Sequence, residues 1–92
     1  MIIQIDPHTL ERAKERGSSK EEITDVINTG TPMTAKHGRS AKAKIYDFGQ
    51  KRHGQYYEQK RVEVFYAVRG DVIVTVTVYV FYGKWVVNAD SV

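Results

Sequence analysis

Between Arg61 and Phe81 the side chains alternate with a period of two, and this pattern predicts the sheet. Val62, Val64, Tyr66 and Val68 alternate with Arg61, Glu63, Phe65 and Ala67, as in a strand with one buried face. Arg69-Gly70-Asp71 supplies a tight turn. Val72–Phe81 follows as the most apolar strand, with Val72, Val74, Val76, Val78 and Val80 on one side and Ile73, Thr75, Thr77, Tyr79 and Phe81 on the other. Tyr82-Gly83-Lys84-Trp85 turns the chain, and Val86-Val87 add a short last strand. Upstream, Lys42–Phe48 reads as a strand carrying Ala43, Ile45 and Asp47 on one face and Lys44, Tyr46 and Phe48 on the other. Residues 34–41 and the basic segment Gly49–Tyr56 are polar and turn-rich, and read as loops.

The first third has a helical period. After a short strand in Met1–Ile5, Asp6-Pro7 opens a helix, because aspartate accepts from orphan amides and proline suits the first helical position. This helix runs to about Arg16, buries Leu10 and Ala13, and stops at Gly17, which tolerates the left-handed conformation. Ser19-Lys-Glu-Glu22 forms a capping box for a second helix through about Thr29, with Ile23, Val26 and Ile27 as its apolar stripe. Gly30 and Pro32 end it. The resulting fold class is α+β: two N-terminal helices packed on one face of a small, mainly antiparallel sheet of about four strands. The valine face of residues 72–80 is expected to meet Leu10, Ala13, Ile23 and Ile27, leaving Thr75, Thr77 and Tyr79 on the face available for chemistry.

Ninety-two residues make a single domain spanning 1–92. A domain of this size buries only about 60–65% of the surface its unfolded chain exposes, so the core must be compact. There is no cysteine, which removes disulfides, thiolate metal sites and cysteine nucleophiles. The start lacks a basic segment followed by a long apolar run, and no stretch approaches the roughly 20 apolar residues of a membrane span. A cytoplasmic protein without a membrane partner is expected. The net charge of +3 conceals an asymmetry: −2 over residues 1–32, +6 over 33–69 and −1 over 70–92. A basic middle with His37 and His53 interleaved favours a polyanion, and Lys42, Lys44, Lys51, Arg52, Lys60 and Arg61 are the expected RNA-binding residues.

The candidate chemistry is narrow. His8, His37 and His53 lack metal-ligand spacing, so neither a metal nor another cofactor is expected. Ser18 and Ser19 read as helix caps rather than nucleophiles. His8, Arg12 and Arg16 stand at steps of four on the first helix, about 6 Å apart along its axis, and form a cationic ridge. Together with Lys60 or Arg61 and the hydroxyls of Thr77, Tyr79 and Tyr82, they are types that suit cleavage of RNA by its own 2′-hydroxyl. Histidine carries protons, and the cations offset charge growing on the phosphate. A solvated helix face explains such a ridge equally simply.

His8-x3-Arg12-x3-Arg16-Gly17, the capped helix with Glu22-Ile23 and Val26, Lys60-Arg61-Val62, and Val76-Thr77-Val78-Tyr79 resemble a bacterial and phage family, domain-of-unknown-function family 4258. That family is similar to RelE/ParE-like toxins within the barnase–EndoU–colicin–RelE grouping of metal-independent ribonucleases. The resemblance runs from about Asp6 to Trp85 and implies a RelE-like domain. It further implies an endoribonuclease, as a toxin held by an antitoxin protein or a phage-borne effector, with RNA and the ribosome as further partners. The family's polar positions fall on His8, Arg12, Arg16 and Thr77; the reading that follows has His8 as the acid/base candidate, Arg12 and Arg16 as phosphate clamps, Lys60 or Arg61 as a substrate or transition-state contact, and Thr77 or Tyr79 as a positioning hydroxyl. The alternatives are a non-catalytic module that binds nucleic acid or protein, and a gyrase-directed inhibitor of the same fold.

Overall fold

A computed structural model of the chain describes residues 1–85. In order, these form β1 (Ile2–Gln4), α1 (Pro7–Arg16), α2 (Lys20–Thr29), β2 (Thr31–Met33), β3 (Ser40–Arg52), β4 (Gln55–Arg69) and β5 (Val72–Gly83). The strands make one sheet in the order β1-β5-β4-β3-β2. β1 runs parallel to β5, and every other neighbouring pair is antiparallel. The fold is therefore α+β with two N-terminal helices, but its sheet is mixed and has five strands among the described residues, not about four. The expected strand at Val86-Val87 lies outside the described residues.

The helix ends form as their caps dictate. The Asp6 carboxylate accepts from the amides of His8 and Thr9, and Gly17 closes α1 at φ 91°. Ser19 caps α2 by accepting from the Glu22 amide. The reciprocal half of the expected capping box is missing, because the Glu22 carboxylate instead accepts from the Ser18 hydroxyl and pairs with Lys60.

The β3–β4 hairpin is tighter than the composition suggests, and the β4–β5 turn is as tight as expected. β3 extends to Arg52 and β4 starts at Gln55, so the expected loop Gly49–Tyr56 shrinks to the two residues His53 and Gly54. Both have positive φ (53° and 81°), as a type I′ turn requires. The β4–β5 hairpin turns at Gly70-Asp71, with Gly70 at φ 64°. β2 pairs with Ala41–Ala43 of β3 and is an edge strand, which is how it accommodates Pro32.

The valine face is not continuous. Tyr66 pairs with Thr75 but Phe65 pairs with Thr77, so Val76 is an extra residue on β5 that reverses the alternation. Before this bulge Ile73 and Thr75 face the helices; after it Val78, Val80 and Tyr82 do. Val72 and Val74 consequently lie on the opposite face, and Thr75 is buried, its hydroxyl accepting from the Asp6 amide. The core gathers Ala13, Ile23, Val26, Ile27, Val62, Val64, Tyr66, Ile73 and Val78. Leu10, expected inside, is half-buried and outside this cluster.

Because β1 covers only Val72–Val74, the outer edge of β5 beyond the bulge has no strand neighbour among the described residues. Helix α1 supplies the missing donors: the Thr9 hydroxyl donates to the Val76 carbonyl and the Arg16 guanidinium to that of Val78. Among the described residues, the opposite sheet face, lined by Glu63, Phe65, Thr77, Tyr79 and Phe81, carries no helix. This open face is where function has room.

Candidate functional site

The open face and the β2–β3 loop enclose a cleft of about 360 Å³. Its floor is Phe65 on β4 with Thr77 and Tyr79 on β5, and its wall is Thr34, Ala35, Lys36, His37 and Arg39 of the loop. The Val76 bulge is what aims Thr77 and Tyr79 at this face while Thr75 remains inside. The loop reaches them by a turn in which the Arg39 amide donates to the Lys36 carbonyl at 3.2 Å. Its central residues, His37 and Gly38, sit at φ 60° and 70°. Glycine takes that conformation freely, whereas at His37 it costs on the order of 1 kcal/mol. A histidine, two cations, the three hydroxyls of Thr34, Thr77 and Tyr79, and the rings of Phe65 and Tyr79 thus share one hollow.

The expected site residues divide. Thr77 and Tyr79 line the cleft, and Arg16, outside the lining, reaches Tyr79: its guanidinium lies 5.4 Å from the centre of that ring. His8 and Arg12 are exposed on α1 and are not among the lining residues. Lys36, His37 and Arg39, which the sequence offered only as part of a basic middle, are brought in by the loop. The signal available was the pair His37-Gly38, a turn-forming dipeptide whose partner across the sheet no local pattern could name.

The six expected RNA contacts lie on different surfaces, and five are engaged. Lys42 and Lys44 project toward α2, donating to the Ile27 carbonyl and to Asp25. Lys60, 8% exposed, donates to the Gly17 carbonyl and pairs with Glu22, each at 2.8 Å. Arg52 donates to the Glu15 carbonyl and lies 4.9 Å from the centre of the Tyr82 ring. Arg61 faces the open side and pairs with Glu63 at 2.9 Å. Lys51 is exposed.

Electrostatics on the helix side are structural. Asp25 accepts from Lys44 at 2.7 Å and from the Tyr46 hydroxyl at 2.6 Å. The Lys44 and Tyr46 hydrogen bonds hold its carboxyl below the usual carboxylate range. Burial, reinforced by the Asp25 carboxylate, pushes the Tyr46 phenol well up. Burial likewise raises Tyr82, whose hydroxyl donates to the Arg16 carbonyl at 2.7 Å.

A second hollow of about 330 Å³ lies at the β1 end, between Ile27, Tyr66, Val68 and Ile73. Its single cation, Lys42, is the one held by Ile27, and no histidine or hydroxyl pair accompanies it. Among the described residues no group of three His, Cys, Asp or Glu side chains is placed to hold a metal ion. Among the described residues no helix is long and apolar enough to cross a membrane. No protein-family model, curated protein or solved structure matches the chain.

Proposed function

We propose that the protein binds single-stranded RNA across the open sheet face and cleaves it in the cleft as a metal-independent endoribonuclease. The observation that carries this reading is the meeting of His37, Lys36 and Arg39 with Thr77 and Tyr79 around one hollow. Transesterification needs little more. The RNA 2′-hydroxyl attacks the adjacent phosphorus, the bond to the 5′ oxygen breaks, and a 2′,3′-cyclic phosphate and a 5′-hydroxyl result. His37 takes the 2′ proton, and the Tyr79 phenol or a solvent molecule protonates the departing oxygen. Lys36 and Arg39 offset charge on the phosphate, with Thr77 as a hydrogen-bond donor. The resemblance to RelE-like toxins supports the same reaction class and would add an antitoxin and the ribosome as partners. It assigns the proton carrier to His8.

Cleavage of a labelled RNA in EDTA, with the ends identified, tests the proposal and separates the two histidines. Loss of a positioned acid or base costs about 10²–10⁴ in rate. We expect His37→Ala to lose that much, His8→Ala to remain near wild type, and cyclic phosphate ends to form. Equal rates in wild type and His37→Ala would remove His37 from the chemistry, and intact RNA with or without ribosomes would end the enzyme reading. The second reading, a binding module without catalysis, is favoured by one observation: the open face displays Tyr79 and Phe81 at 43% and 48% exposure.

A further inference from the structure

Exposed aromatic rings on a strand are costly to leave in water and are rarely set side by side without a use. On the open face of β5, Tyr79 and Phe81 stand two residues apart, with ring centres separated by 6.4 Å and planes inclined by 30°. Phe65 extends the row from β4, its centre 5.8 Å from that of Tyr79. Both Tyr79 and Phe81 are more than two-fifths exposed. They are therefore not packing a core, and Phe81 lies outside the cleft lining.

We infer that Phe65, Tyr79 and Phe81 form a stacking platform for consecutive unpaired bases, extending the cleft by a subsite at Phe81. The inference rests on the reading of the open face as an RNA surface. Base–aromatic stacking tolerates any sequence, because every base has a π-face, and it requires bases that are not already paired. The charges around the rings fit a nucleic acid better than an apolar protein segment. Arg16 lies over the Tyr79 ring, and Lys36 and Arg39 line the adjoining wall. Among the described residues the acid beside the rings, Glu63, is held by Arg61 at 2.9 Å, so its charge is offset where a phosphate chain would pass. The partner is thus a single strand with its bases splayed onto the sheet and its phosphates running along the cationic margin.

Anisotropy of a labelled single-stranded oligoribonucleotide, with a duplex of the same sequence for comparison, tests the platform. Phe81→Ala should weaken single-strand binding roughly five- to 150-fold, the range for one base–aromatic stack. Phe81→Trp, which keeps a stacking ring, should restore it, and the duplex should bind more weakly than the single strand. Equal affinity of Phe81→Ala and wild type, equal binding of duplex and single strand, or no binding of the single strand would each overturn the inference. If wild type cleaves nothing while Phe81→Ala still loses affinity, the platform stands and the catalytic reading falls.

Discussion

Lys60 places its ammonium 2.8 Å from the Gly17 carbonyl and 2.8 Å from a Glu22 carboxylate oxygen. Its position on β4, flanked by Gln59 and Arg61, reads from the sequence as part of a basic surface, but the strand period turns it toward the helices. There it neutralises Glu22 and satisfies a carbonyl that α1 leaves over, so its charge serves the fold. Lys60→Met should lower stability by about 2–3 kcal/mol. Hydrogen bonds to charged groups are worth about 1.5–3 kcal/mol, and the remaining solvent contact of this pair keeps the loss below the 3–5 kcal/mol typical of a fully buried one. Lys51→Ala, at an exposed position, should change it by less than about 0.5 kcal/mol. Urea midpoints of the two variants check the contrast. Equal midpoints would show that Lys60 does not anchor α1.

The C-terminal turn of α1 accounts for its carbonyls almost one by one. The Ser18 amide returns to Ala13 and the Gly17 amide to Lys14, Arg52 takes Glu15, Tyr82 takes Arg16 and Lys60 takes Gly17. Two of these donors are cations, as the negative end of a helix dipole favours. Gly17 is the hinge of the arrangement. At φ 91° a side chain is strained, and a Cβ there would stand 2.1 Å from the Tyr82 hydroxyl and 2.9 Å from the Arg52 guanidinium. Gly17→Ala should therefore destabilise by about 2–3 kcal/mol. About 1 kcal/mol of this is left-handed strain and the rest is displaced hydrogen bonds, well beyond the 0.4–1 kcal/mol that a stiffer unfolded chain returns. A thermal unfolding midpoint at or above wild type would contradict this account.

The same elements show what a sequence can and cannot disclose. Asp6, Gly17 and Ser19 act through neighbours within a few residues, so both helices are legible to the residue. The run from Val72 to Val78 is β-branched on both faces, so nothing in it marks Val76 as the bulge, and the alternation that looks continuous hides a reversal. Thr77 and Tyr79 could be placed on the open face, but for Thr75 the same pattern gave the wrong side. Lys36, His37 and Arg39 needed the β2–β3 hairpin, whose three-residue strand Thr31–Met33 is too short to show any period.

At the scale of the whole molecule, the two sheet faces differ in what their cations are free to do. On the helix side Lys42, Lys44, Lys60 and Arg52 each have a carbonyl or carboxylate partner. On the open side Arg61 is paired with Glu63 and Arg16, over the Tyr79 ring, is held by the Val78 carbonyl, whereas Lys36 and Arg39 border the cleft. A polyanion arriving at the open face would release counterions there, and each phosphate contact contributes about −0.7 to the log–log salt slope of single-strand binding. Replacing Lys36 and Arg39 together by alanine should make that slope shallower by about 1.4. Replacing Lys42 and Lys44 together should leave it unchanged, with folding confirmed by circular dichroism. Should the Lys42/Lys44 pair flatten the slope while Lys36/Arg39 does not, the strand would lie across the helix side, and the cleft would lose its claim to the RNA.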